Sequence, residues 1–328
     1  MKKFLSIIIP RYKETEKEIF PLFSSIYNQA GIDFSNIEII ISNDGGGNGL
    51  LNEDFLSMFE MDIKQINLSE NKGPGVTRQA GLNVACGQYV MFCDADDILH
   101  NSGVLGALIQ EAELNLPDMI STSWLEEIKD QNMQYHYITH ENENTWMHGK
   151  LIRRNFLVQN NISFHDELRV HEDSYFLCIA ASLSNNRRYL PIISYVWKYN
   201  PNSITRQNNS DYTFNSMTKF IEACSMAHGH IEKLVSKELM EYKILQFVLY
   251  NYFTYHLPIW QTKENEKYLK ESESTFVKCI LPMWHYWKDA DMQKISTVYN
   301  EERNRTFGNN IEVETVWEWI ERLGIDKG

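Results

Sequence analysis

An apolar run, Tyr89–Cys93, ends abruptly in three carboxylates, Asp94, Asp96 and Asp97. Gathering that much negative charge at the end of a buried strand costs free energy unless a cation balances it. Two aspartates one residue apart suit a hard divalent ion. Mg2+ and Mn2+ take carboxylate oxygens and keep positions open for phosphate oxygens. The alternative is a solvated acidic turn in which Asp97 caps a following helix. A second carboxylate pair, Glu172 and Asp173, lies in HEDSYF at a predicted helix start. There it either caps the helix or serves as general base toward a hydroxyl. The HExxH zinc pattern is not met. Three cations are spaced along the same part of the chain. Lys72 and Arg78 stand in NKGPGVTRQAG, and Arg206 ends SITR. Arg78 or Lys72 can face phosphate or the aspartates. The run GGGNG fits neither the P-loop nor the dinucleotide fingerprint and reads as a turn.

These residues need elements to position them. Phe4–Ile9, Ile37–Ile41, Met61–Leu68, Tyr89–Cys93 and Met119–Trp124 read as strands, the first closed by Pro10. Helical spacing follows them at Ile19–Ala30, Gly75–Ala85 and Gly103–Leu114. Alternation of continuous apolar strands with helices predicts a Rossmann-like α/β fold with a mixed, mainly parallel sheet covered on both faces. Ligands bind such sheets beyond the carboxyl ends of the strands. The polar residues fall at those ends: Arg11–Tyr12, Asn43–Asp44 and Asp94–Asp97. Lys150–Val158 and Asp173–Ala181 read as helices and Tyr189–Lys198 as a strand. From Asp211 onward the pattern is mostly helical and rich in aromatics. We therefore expect a first domain over 1–210 and a helical region over 211–328, with NPNSITRQNNSD as the connector. Trp260, Trp284, Trp287, Trp317 and Trp319 can pack that region or line a sugar-binding face.

The chain has 328 residues and a formal charge of −13, with most of the acidic excess in the first 210 residues. That balance argues against broad adhesion to nucleic acid or to an anionic membrane. Five cysteines without paired spacing predict reduced, mostly buried thiols. Pro10 and charged residues cut the first apolar run too short for a signal peptide, and no other run is long enough to span a bilayer. A cytoplasmic location is expected.

Taken in order, SIIIPRYKE, ISNDGG, NKGPGVTRQAG, QYVMFCDADD, HGKLIRRNFL with ISF, HEDSYF and SITR resemble the family 2 glycosyltransferases of GT-A fold. The resemblance spans about residues 4–206. It implies an inverting, metal-dependent transfer from a nucleotide-sugar, with uracil as the suggested base, to a glycan-type acceptor. The implied nucleotide-sugar site draws on Pro10, Tyr12, Asp44, Lys72, Arg78, Asp94, Ala95, Asp96 and Arg206. Tyr12 would lie against the base and Asp44 would accept from its imide. Asp94 would contact the ribose, Asp96 would ligate Mn2+ or Mg2+, and Arg206 would hold the diphosphate. Asp173 would be the catalytic base, with Glu172 beside it. Asn43, Lys13 and Gln79 depart from the family's usual Asp, Asn and Asn. HGK, residues 148–150, would lie toward the acceptor, and the C-terminal helices would bind acceptor or a second copy. The competing readings are a sugar-phosphate nucleotidyltransferase, a binding protein without turnover, and transfer to nucleic acid or protein. The first lacks its Gly-rich loop here, because PRYKETEKE holds no glycine.

Overall fold

The structure is a computed structural model that describes residues 3–143, 145–201, 203, 210–258, 266–307 and 314–325. The chain divides into two compact units, residues 1–206 and 207–328.

The first unit is built on one sheet. Its strands are β1 (Leu5–Arg11), β2 (Ile37–Asn43), β3 (Asp62–Asn67), β4 (Tyr89–Phe92), β5 (Ile98–Leu99), β6 (Met119–Lys129), β7 (Tyr135–His140), β8 (Lys150–Arg153) and β9 (Arg187–Trp197). They lie in the order β3-β2-β1-β4-β8-β6-β9-β5, with β7 added to β6. β1 runs parallel to β2 and β4, β2 to β3, and β6 to β9. β8 is antiparallel to β4 and β6.

Ile7, Ile9, Ile39, Ile41 and Met91 pack on α1 (Glu16–Tyr27) and α4 (Val104–Asn115), through Ile19, Phe23, Leu105 and Leu108. Ile8 and Ile40 face the other way, onto α3 (Pro74–Val84). A Cβ on Gly81 of α3 would stand 2.4 Å from Ile8 Cγ2, so this helix crosses the sheet at glycine. Phe92 meets Phe176 of α6 (Glu172–Leu183) at 6.0 Å between ring centres. Strands covered on both faces explain why they read as unbroken apolar runs.

Three expectations change. β1 continues through Pro10, which pairs in register with Ser42. Beyond Ile8 only β2 lies beside β1, so the missing N–H costs no bond on the β4 side. Lys150–Arg153 is a strand and not a helix; only Arg154–Gln159 is helical (α5). Insertion between β4 and β6 outweighs its local periodicity. Ile98–Leu99 pairs with Val196 and Tyr195 of β9, so no helix follows Asp97 directly.

The second unit contains α7 (Ser210–Ile231), α8 (Lys237–Asn251), α9 (Glu266–Ile280), α10 (His285–Asp289), α11 (Met292–Glu302) and α12 (Val316–Leu323). Trp284, Trp287 and Trp319 are buried and Trp317 is exposed, while Trp260 lies outside the described residues. Glu273 of α9 accepts from Trp319 Nε1 at 3.0 Å and from Arg322 at 2.7 and 3.1 Å. These bonds fasten α12 to α9. Among the described residues no helix is long and apolar enough to cross a membrane.

Candidate active site

The carboxyl edge of the sheet collects most of the singled-out residues. Arg78, on α3, is buried and reaches two ways. Its Nη2 donates to Asp94 Oδ1 at 2.6 Å, and its Nη1 donates to Glu172 Oε1 at 2.6 Å. One guanidinium thus ties the turn after β4 to the start of α6. Burial works against its charge, but Asp94 and Glu172 outweigh burial and raise its pKa. Of the two roles open to Arg78, facing the aspartates is the one observed. Burial pushes the Asp94 carboxyl up, and Arg78 more than reverses it, so its pKa falls. Glu172 remains raised, because burial exceeds the help it receives from Arg78.

Asp173 is half-buried at the start of α6, and its Oδ1 accepts the Ser174 N–H at 2.8 Å. Burial first, and then the neighbouring Glu172 charge, push its pKa up to about 7. A carboxyl poised there can take a proton near neutrality. His171, just before this pair, is left-handed at φ 60°. A non-glycine residue in that region is strained, and such strain gathers at functional sites.

The acidic turn is not uniform. Asp96 is half-buried and accepts from Asn200 Nδ2 at 2.8 Å; burial raises its pKa. Asp97 is buried and caps no helix. Its Oδ2 accepts the Tyr195 hydroxyl and its Oδ1 the Lys198 N–H, both at 2.8 Å. Burial, followed by the Asp96 and Asp94 charges, lifts Asp97 well above the usual carboxyl range. Tyr195 also accepts the Asp94 N–H at 2.9 Å, so β9 holds both ends of the turn. Ala95 between them is buried.

On the β1–β2 side, Asp44 is buried. It accepts from Lys72 N at 2.6 Å, Gly73 N at 2.9 Å and Asn71 Nδ2 at 3.0 Å, which fixes the loop into α3. A carboxylate offers about four acceptor positions, so these three bonds use most of them. The Lys72 ammonium does not reach the aspartates; it is half-exposed, 3.3 Å from Glu70. Asn43 accepts from Arg11 Nη1 at 2.6 Å, where an aspartate would have made an ion pair. Tyr12 and Pro10 are partly exposed at the same edge, and the Lys13 ammonium lies 4.7 Å from the Tyr12 ring centre. The glycine run passes tightly against the segment that follows β1. A Cβ on Gly47 would collide with the Tyr12 carbonyl oxygen. Arg206 lies outside the described residues.

Sequence reasoning missed Tyr195 and Asn200, which stand 98 and 104 positions from their aspartates. No short motif joins such distant residues. His148 is expected only toward the acceptor; its ring nitrogen, with oxygens of Asp94 and Asp97, forms a group whose ligand atoms all lie within 4.8 Å of one another.

The acidic turn, the Arg78 bridge and the raised Asp173 carboxyl stand together at the carboxyl edge of one mainly parallel sheet. Residues 6–167, close to half of the chain, match the sequence model of Glycosyl transferase family 2, which places that stretch in the family. The chain is 28% identical over 226 residues to the uncharacterized glycosyltransferase EpsJ of Bacillus subtilis, covering 62% of this chain and 64% of EpsJ. It is also 28% identical over 208 residues to the poly(ribitol-phosphate) beta-N-acetylglucosaminyltransferase TarS of Staphylococcus aureus, covering 57% of this chain and 34% of TarS. The chain thus spans under two thirds of these relatives. TarS residues 1–349, solved in complex with UDP-GlcNAc, superimpose with a TM-score of 0.63 at 18% identity over 92% of each chain. A mannosyltransferase from Pyrobaculum calidifontis, solved with GDP-Man and Mn2+, superimposes with a TM-score of 0.52 at 13% identity over 94% of this chain and 84% of that one. These likenesses fix the GT-A fold.

Proposed function

We propose that this chain is an inverting, metal-dependent glycosyltransferase that moves a sugar from a UDP-sugar to a hydroxyl of a glycan or cell-surface polymer. The observation that carries the reading is Asp173, a half-buried carboxyl raised to about 7 and joined to the acidic turn through Glu172, Arg78 and Asp94. Asp173 accepts the proton of the acceptor hydroxyl as that oxygen attacks the anomeric carbon from the face opposite the diphosphate. One displacement at that carbon inverts its configuration. Arg78 keeps Glu172 and Asp94 fixed, so Asp173 stays at a constant distance from the donor. Tyr12 covers the base, Asp44 meets its imide with its remaining acceptor position, and Pro10, Lys72 and Ala95 shape the donor site. Arg206 contacts the diphosphate.

The donor set fits a hard cation: Asp94 and Asp96 are both partly exposed carboxylates on one turn, and among the described residues only the Arg78 side chain bonds the first and only the Asn200 side chain the second. Mn2+ or Mg2+ bound there supplies positive charge to the leaving diphosphate. Residues 211–328 serve acceptor binding or association with a second copy. UDP-GlcNAc is the first donor to test, since TarS was solved with it. Calorimetry should show UDP binding with Mn2+ or Mg2+, and UDP should be released when a glycan or polyol acceptor is supplied. Absence of both binding and release sinks the proposal.

A further inference from the structure

His148 lies in the segment before β8 and is 5% exposed. Its ring stacks on Tyr195 at 4.9 Å and 17°, and meets Trp124 edge-on at 4.9 Å. Trp197 and Trp146 lie nearly parallel to it at 5.6 and 6.1 Å. Rings packed against its faces leave the imidazole nitrogens to act in the ring plane. A buried imidazole ordinarily hydrogen-bonds a neighbour. Among the described residues the His148 ring nitrogens make no such bond, and one of them points into the acidic turn.

Oxygens of Asp94 and Asp97 and this nitrogen all lie within 4.8 Å of one another without bonding to each other. Atoms bound to one ion at about 2.0–2.3 Å stand roughly 3–4.5 Å apart, so three atoms held within 4.8 Å of one another are near the spread one ion requires. Arg78 occupies Oδ1 of Asp94, and Oδ2 remains for a ligand bond. Asp97 is already oriented by Tyr195 and Lys198, as ligating carboxylates are by their outer partners.

We propose that Asp94, Asp97 and His148 together hold a divalent first-row transition ion, with His148 as a nitrogen ligand. The inference rests on the reading that this turn binds the donor's cation, and adds to it a ligand set beyond Asp96. An imidazole among carboxylates favours Mn2+, Co2+ or Zn2+ over Mg2+, which keeps to oxygen.

The test uses the full chain with Mn2+ alone, without nucleotide, followed by calorimetry and by electron spin-echo spectroscopy of the bound ion. The wild type should bind Mn2+ with a nitrogen modulation typical of imidazole. His148→Gln should remove that modulation and weaken Mn2+ binding at least tenfold, while Mg2+ binding changes less than threefold. Asp97→Asn should weaken Mn2+ to a similar degree yet keep the nitrogen signal, which guards against a folding defect in the first variant. Oxygen-only coordination in the wild type overturns the site, as does a nitrogen signal that survives His148→Gln. So does Asp97→Asn binding Mn2+ as tightly as the wild type. UDP release measured in parallel separates the outcomes: release with oxygen-only Mn2+ leaves the transferase reading standing and removes only this ligand set.

Discussion

A carboxyl whose pKa is raised to about 7 gives the reaction a pH dependence of known sign. Asp173 accepts a proton only when ionised, so acceptor-side kcat/KM should rise about tenfold per pH unit below 7 and level off above it. Asp173→Asn should slow transfer by about 100-fold or more and flatten that limb. Full turnover in Asp173→Asn removes the proposed base. Arg78 makes a different prediction, because it is buried between two carboxylates. Removing one partner of a buried ionic pair leaves the others uncompensated and costs about 3–5 kcal/mol. Arg78→Gln should therefore lower the urea midpoint as well as activity. An unchanged midpoint would show that the bridge contributes nothing to folding. Arg78, Asp44 and Asp173 were legible as polar residues at predicted strand ends and helix starts. Which partner each one takes was not, because Arg78 and Glu172 are 94 positions apart.

The elements that bring those residues together meet at glycine. α3 starts beside α6, and a Cβ on Gly75 would come within 2.9 Å of Glu172 Cβ and Cγ. Gly75→Ala must push Glu172, and with it the start of α6, away from Arg78. We expect kcat to fall at least about tenfold with donor KM within threefold, and stability to drop by about 1–3 kcal/mol from overpacking. A donor titration with kinetics and a urea curve check both, and an unchanged kcat refutes the coupling. The parallel strands were readable, since burial on both faces leaves continuous apolar runs such as Ile7–Ile9 and Ile39–Ile41. β7 was not, because all six of its residues are exposed or half-buried and its pairing with β6 leaves no apolar alternation. β8 looked helical because four residues carry too little period to separate the two forms.

At the scale of the whole molecule, each compact unit carries its own buried ionic links. In the second, Glu273 is opposed by burial, yet His256 and Arg322 hold its pKa down at about 2. A carboxyl lowered in the folded state stabilises at pH above its unfolded value, near 4.5, and that contribution fades as pH falls toward 2. Glu273→Gln should therefore cost about 3 kcal/mol at pH 7, with the gap to wild type narrowing below about pH 4.5. Urea unfolding at several pH values checks it; a gap independent of pH contradicts the assignment. The same unit buries Trp284, Trp287 and Trp319, so these aromatics pack and are not a sugar platform.

The sequence by itself determined the class of fold, the sheet edge at which the singled-out polar residues gather, and the family. Those depend on local period, strand length and ordered motifs, all of which are written along the chain. Only the tertiary structure decided how the acidic turn is used. Asp97, for which the sequence offered a helix cap as one reading, is gripped by Tyr195 and Lys198 instead, and His148 turns a ring nitrogen toward it. Those contacts join residues about 50 to 100 positions apart. Side chains so far apart in sequence meet only because the sheet brings β4, β8 and β9 together, and no spacing rule records that.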